Sequence, residues 1–157
     1  TGRPGIRVAG AGVARSCTVI KVFVDTNVLV YCADQHDPGK QQRCRALVAG
    51  LQADGRAVIS TQVLQELYAA CTRKLGIAPL AAKGIILALR EVETIMVDRQ
   101  RIEDAVDCSI LNQLSFWDAL IVTSAAAARC TALLTEDLNH GQTIAGIRVE
   151  HPTRFSA

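Results

Sequence analysis

The sequence predicts an α/β fold built on a parallel sheet, and three observations carry that expectation. The first is an almost unbroken apolar run, Val19 to Val24 with only Lys21 interrupting, that stops at Asp25-Thr26-Asn27. It lacks the polar alternation of a half-solvated strand and fits a strand covered on both faces, as in parallel sheets. The second is the regular succession of short apolar segments and longer stretches of helical spacing. The third is size: 157 residues, half of them hydrophobic, suit one domain whose core needs no disulfides. No internal repeat or second domain is visible.

Taken in order, residues Thr1 to about Thr18 are rich in Gly and Arg, have no periodicity, and lack the apolar centre of a signal peptide. They read as a flexible leader or cloning remnant. The strand ending in Asp25 follows, and Val28 to Tyr31 continue apolar until Asp37-Pro38-Gly39 marks a loop, with Asp37 placed to cap a helix. Lys40 to Gln52 is that helix, with Cys44, Leu47, Val48 and Leu51 on one face and Asp54-Gly55 as its stop. Ala57 to Ile59 is a short strand. Ser60 or Thr61 then caps a helix bearing Val63, Leu64, Leu67, Tyr68 and Cys71 on its apolar face. Glu66 lies beyond the edge of that stripe, so the pattern alone makes it a solvated surface residue.

Pro79 begins a helix through Arg90, followed by a strand at Thr94 to Val97 and a polar helix from Arg99 to Leu114. Ser115 to Asp118 opens a helix whose body, Ala119 to Ala128, is nearly free of charge and so must be buried on most sides. The Ser115/Asp118 spacing resembles a capping box, and an acid in a first helical turn is favoured by the helix dipole. Ala132 to Thr135 form another strand, ending in Glu136-Asp137, and a last strand near Ile147 to Glu150 is stopped by Pro152.

Composition excludes several functions. Aromatic residues make up 4% of the chain, too few for platforms that grip single strands by stacking. The formal charge of +2 hides an asymmetry, because Arg3, Arg7, Arg15 and Lys21 precede Val22 and leave 13 bases against 15 acids after it. Tight non-specific duplex binding needs many phosphates neutralised, which such a body does not offer. The six cysteines form no C-x-x-C pair and no Cys/His cluster with zinc spacing. They read as reduced thiols of a cytoplasmic protein, and no stretch is clean enough to span a membrane.

Asp25 and Asp137 follow buried strands and Asp118 opens a buried helix, which places all three at the carboxyl edge of one sheet, where open α/β folds gather ligands. Carboxylates crowded together repel and take up protons unless a hard cation compensates. Mg²⁺ suits such oxygen donors, keeps several waters and bridges carboxylates to phosphate oxygens. A dehalogenase-like phosphatase would need a second Asp at position 27, which is Asn, and a receiver domain would need paired acids and a strand-end Lys that are absent.

Four segments, VFVDTNVLVY from Val22, STQVLQELYAA from Ser60, LSFWDALIVTSA from Leu114 and LLTEDLNHGQTIAGI from Leu133, resemble PIN-domain ribonucleases, most closely their VapC-type toxins. The resemblance implies a three-layer PIN-like fold with a mostly parallel central sheet flanked by helices, occupying 19–157 as a single domain. It implies a metal-dependent endoribonuclease with Asp25, Glu66, Asp118 and Asp137 as its catalytic, metal-holding acids, using Mg²⁺ with Mn²⁺ as a substitute. Thr26, Asn27 and Thr135 would orient these carboxylates by hydrogen bonds, with helix capping an equal reading for Thr26 and Asn27. Glu136 stands beside Asp137, and either could face the metal. Lys40, Arg43, Arg45, Arg73 and Lys74 could follow RNA phosphates, though for each alone a solvated helix face is the favoured reading. The family likeness further implies an RNA substrate, a cognate antitoxin of a type II toxin–antitoxin pair whose C-terminal segment lies over the groove, and a homodimer. The rival expectation is a catalytically weak PIN domain acting as an RNA- or protein-binding scaffold.

Overall fold

A computed structural model describes residues 19–156; the leader read from residues 1–18, with Cys17, lies outside them. Strands β1 (Val22–Val24), β2 (Ala57–Ser60), β3 (Glu93–Ile95), β4 (Ala132–Leu134), β5 (Thr143–Ile144) and β6 (Ile147–Glu150) form one sheet in the order β3-β2-β1-β4-β6-β5. All neighbouring pairs are parallel except β5 with β6. The central strands are apolar on both faces because helices cover both, and Phe23, Val58 and Leu133 are fully buried.

The helices are α1 (Thr26–Ala33), α2 (Pro38–Ala53), α3 (Thr61–Arg73), α4 (Pro79–Leu87), α5 (Arg99–Asn112) and α6 (Phe116–Ala127). Helix α1 packs on α2 and α3, and α3 on α4, while α5 and α6 pair with each other and α6 lies against β2, β4 and β6. Two helical groups thus flank the sheet in three layers. Helix α6 is buried from Ala119 to Ala125, as its uncharged sequence requires. Its buried hydroxyls are satisfied within the helix, Thr123 Oγ1 donating to the Ala119 carbonyl at 2.9 Å and Ser124 Oγ to the Leu120 carbonyl at 2.7 Å.

The structure departs from the sequence reading in five places, the first being that α2 starts at Pro38, so Pro38 and Gly39 are helical and not loop. Strand β1 begins at Val22, since Val19 and Ile20 are exposed. The apolar stretch after Asp25 is a helix, α1, that starts one residue beyond it. Helix α4 closes at Leu87, three residues early, and β3 starts at Glu93. The two-residue strand β5 was not anticipated; it turns into β6 through Ala145 (φ 49°) and Gly146 (φ 79°), the pair of positive angles that a two-residue hairpin loop prefers.

Among the described cysteines, Cys44, Cys71, Cys108 and Cys130 are buried and Cys32 half-buried, and all five are free. Burial pushes the Cys32 and Cys130 thiols up to about 12, so neither is a ready nucleophile. An open apolar depression of about 770 Å³ lies between α3 and α4, lined by Leu64, Tyr68, Leu80 and Ile86 among others, and none of the four acids reaches it. No helix among the described residues is long and apolar enough to cross a membrane.

Candidate metal and catalytic site

The site is assembled at the carboxyl ends of β1 and β4, where α1, α3 and the start of α6 come together. Chain direction places Asp25 just past β1, and its backbone N–H is tied across the sheet to the Leu134 carbonyl at 3.0 Å. Its side chain caps α1: Oδ1 accepts from the Thr26 N–H at 2.7 Å. Oδ2 accepts from the Thr135 hydroxyl at 2.7 Å. Asp25 is only 6% exposed. Burial, the largest influence, pushes its pKa up from 3.8 to about 6; the Thr135 and Thr26 hydrogen bonds pull it down, and the charges of Asp137 and Glu66 push it further up.

Beyond β4 the chain alternates. Asp137 turns toward Asp25: its Oδ2 accepts from Asn27 Nδ2 at 3.0 Å, and its N–H donates to Thr135 Oγ1 at 3.1 Å. Glu136 turns the other way: it accepts from the Tyr31 hydroxyl and from Lys40 Nζ at 3.2 Å, Lys40 Nζ lies 3.0 Å from its other oxygen, and His151 Nε2 stands 3.5 Å away. Burial works to raise its pKa, but the Tyr31 and Lys40 hydrogen bonds outweigh it and hold Glu136 below the usual carboxylate range. Of this pair, Asp137 is therefore the one directed at Asp25. Lys40 also sits 3.4 Å above the Tyr31 ring centre. The cation that the sequence offered to phosphates is thus occupied within the protein, and Arg45 likewise donates to the Cys32 carbonyl at 2.7 Å.

Glu66 is half-buried rather than solvated. Its Oε2 accepts from Thr26 Oγ1 at 2.7 Å and its Oε1 from Gln62 Nε2 at 2.8 Å. The apolar stripe of α3 misplaces it because the helix also buries a polar residue, Gln62, one turn before. Gln62 is a site residue that the sequence reading missed. The available signal was the Gln62/Glu66 spacing of four, which stacks both side chains on one helix face.

Asp118 stands apart from this chain of bonds. Its Oδ2 accepts from Ser115 Oγ at 2.7 Å, and its N–H donates to the same hydroxyl at 3.1 Å, so it helps close the cap of α6. The neighbouring Trp117 carbonyl accepts from Gln62 Nε2 at 3.4 Å, which ties the start of α6 to the Glu66 helix. The structure thus joins Asp25, Asp137, Glu66, Thr26, Asn27 and Thr135 in one network and leaves Asp118 at its margin.

The donor set can be tested against a divalent cation. The two protons of the Asn27 amide go to Asp137 and Thr135, and those of Gln62 go to Glu66 and Trp117. Their oxygens, Asn27 Oδ1 and Gln62 Oε1, are buried without a partner. Carboxylates plus unpartnered amide oxygens make a site rich in hard oxygen acceptors and poor in donors, which fits a hydrated Mg²⁺ or Mn²⁺ and not zinc. Among the described residues no three carboxylate, imidazole or thiol groups form a ready-made cage. Mg²⁺ does not require one, since it binds through one or two carboxylates and retains water.

Comparison with known proteins gives four findings. The PIN domain family model matches residues 22–143. A VapC ribonuclease of Mycobacterium bovis is 32% identical over 120 residues, 74% of this chain and 89% of the relative. Among solved structures, the sarcin–ricin loop cleaving toxin VapC20 of Mycobacterium tuberculosis superposes with a TM-score of 0.62 at 22% identity, over 74% of this chain and 92% of the other. A toxin–antitoxin complex from Klebsiella pneumoniae gives 0.63 at 19% identity, over 86% of this chain and 100% of the other. At these identities the structural likeness concerns the fold.

Proposed function

The chain belongs to the PIN-domain family, and on that premise we propose that it is a Mg²⁺-dependent endoribonuclease, the toxin of a type II toxin–antitoxin pair. The observation that carries this reading is the buried Asp25 carboxylate at the end of β1, linked by hydrogen bonds into one network with Asp137 and Glu66. Asp25, Glu66, Asp118 and Asp137 would hold the cation, with Mn²⁺ as a substitute. When bound, the cation supplies positive charge against the phosphodiester and its developing negative charge. The protein's own groups do the positioning. Thr135 and the Thr26 N–H fix the Asp25 oxygens, Asn27 holds Asp137, and Thr26 Oγ1 holds Glu66.

The relatives' names support a substrate class and a partner. We read RNA as the substrate and a cognate antitoxin as the inhibitor, whose C-terminal segment would lie over the acidic groove and place Arg or Lys among the carboxylates. Residues 19–157 would act as a single domain, as a homodimer, in the cytoplasm. The test is incubation of purified protein with a pool of structured RNAs in Mg²⁺ and in EDTA, with Asp25→Asn beside the wild type. Cuts are expected only in wild type with Mg²⁺. RNA retained without cuts in Mg²⁺ would replace this reading with that of a binding scaffold.

A further inference from the structure

Gln62 occupies an unusual position for an amide. It is 4% exposed, in the first turn of α3, and both protons of its amide are committed to acceptors: the Glu66 carboxylate at 2.8 Å and the Trp117 carbonyl at 3.4 Å. Rotating the amide by half a turn would set its oxygen against those same two acceptors, so this orientation is the only one of the two that the surroundings allow. The consequence is a buried Oε1 that nothing satisfies. An apolar residue of the same volume would avoid that desolvation penalty. A side chain kept at such a cost in a protein interior is to be explained by what it positions.

What it touches answers the question. Glu66 has two described partners, Thr26 on its Oε2 and Gln62 on its Oε1, and together they fix both oxygens. The Trp117 carbonyl belongs to the residue preceding Asp118, so Gln62 also ties the start of α6 to α3. Ser115, the other group on Asp118, is local to α6 and cannot register it against another element. Gln62 is thus the described hydrogen-bond link between the acid that stands apart and the acids in the network.

We propose that Gln62 is a positioning residue of the divalent-cation site, holding Glu66 and the Asp118 end of α6 at the spacing the cation requires. This rests on the metal-dependent reading above. In this role Gln62 acts through Glu66 and α6.

The experiment is a Mn²⁺ titration of purified protein, read by the paramagnetic signal of free Mn²⁺, with thermal unfolding in EDTA alongside. Gln62→Met keeps the volume and removes the amide. It is expected to weaken Mn²⁺ binding by about 10- to 100-fold, the usual effect of losing a group that orients a metal ligand. Its unfolding temperature in EDTA should stay within a few degrees of wild type, since the orphaned oxygen is removed together with the two hydrogen bonds. In a Glu66→Gln background the same substitution should change Mn²⁺ affinity much less than in wild type, because two residues acting through one ligand are not additive.

Equal Mn²⁺ affinity in folded Gln62→Met and wild type, or fully additive effects with Glu66→Gln, overturns the proposal. Should Gln62→Met fail to fold, Gln62→Leu takes its place; failure of both makes Gln62 a requirement of the fold and also overturns it. Wild type and Asp25→Asn in the same titration separate the two readings. If wild type binds no Mn²⁺, or binds it as well after Asp25→Asn, the acid site itself is not a cation site. If wild type binds and Asp25→Asn does not, an unaffected Gln62→Met counts against Gln62 alone.

Discussion

Asp25 carries two roles that conflict in charge and agree in geometry. As the cap of α1 it is favoured, because its Oδ1 meets a free N–H at a helix N-terminus. As a buried anion it is disfavoured, and burial holds its pKa up near 6. Asn caps as well as Asp, so Asp25→Asn removes the charge while keeping the cap. Cleavage of RNA in Mg²⁺ should fall by more than about a hundredfold in Asp25→Asn, the scale of losing one electrostatic group at a transition state. Near-wild-type rates in the folded variant sink the assignment. Asp104→Asn and Asp107→Asn, on α5 and outside this hydrogen-bond network, should leave the rate unchanged. Thr135→Val tests the other oxygen: its hydroxyl lowers the Asp25 pKa, so its loss should move the carboxyl titration of the metal-free protein to higher pH. Carboxyl-carbon resonances followed from pH 3 to 8 would register the shift, and an unmoved or lowered midpoint contradicts it. The strand-end position of Asp25 was legible in the sequence because a buried apolar run ended there. Glu66 was not legible from periodicity, since a half-buried acid bonded to Thr26 and Gln62 leaves no trace in an apolar stripe. Only the family resemblance placed it in the site.

Elements were readable in proportion to their length and to the chemistry at their ends. Helices α2, α3 and α6 start where Asp37, Ser60 and Ser115 announce a cap, and each of those side chains accepts a backbone N–H within its helix. Helix α1 escaped notice because Val28, Leu29 and Val30 are all buried in succession, which erases the 3.6-residue period that betrays a half-exposed helix. Strand β5, two residues long, is too short for any pattern. The cap of α6 offers a test at this scale. Ser115→Ala should cost about 1 kcal/mol, lowering the unfolding temperature by roughly 2–4 °C for a chain of this size. It also releases the Asp118 carboxylate, so the stabilisation gained from Mg²⁺ should shrink. Asp98→Ala removes the equivalent cap of α5, where Asp98 accepts from the Arg101 N–H at 2.9 Å. It should lower stability by a similar amount and leave the Mg²⁺ increment intact. Identical Mg²⁺ increments in both variants would remove Asp118 from the cation site.

For the whole molecule, a buried acid among acidic neighbours is a source of instability unless a cation compensates its charge. Asp25 holds its proton more tightly in the folded chain than in the unfolded one, with a pKa near 6 against 3.8. The native state is therefore the better proton binder between those values, and metal-free stability should fall as pH rises through them, by an amount on the order of 3 kcal/mol at 1.36 kcal/mol per unit. Glu136 works in the opposite sense: its folded pKa lies below the usual value, so its contribution grows as pH rises toward the unfolded carboxylate range and is lost below it. A single stability curve mixes the two. The difference between wild type and Asp25→Asn isolates the first, because both chains keep Glu136, Tyr31 and Lys40. In EDTA, Asp25→Asn should match or trail wild type at pH 4 and melt above it at pH 7. Saturating Mg²⁺ should then raise wild type selectively, since a ligand at a hundredfold excess over its dissociation constant adds about 2.7 kcal/mol to the state that binds it. The order of the two melting curves at pH 7 should narrow or reverse. If wild type is the more stable protein in EDTA at pH 7, and Mg²⁺ moves neither curve, Asp25 is a helix cap that tolerates its charge without a cation, and the metal-dependent nuclease loses its physical basis.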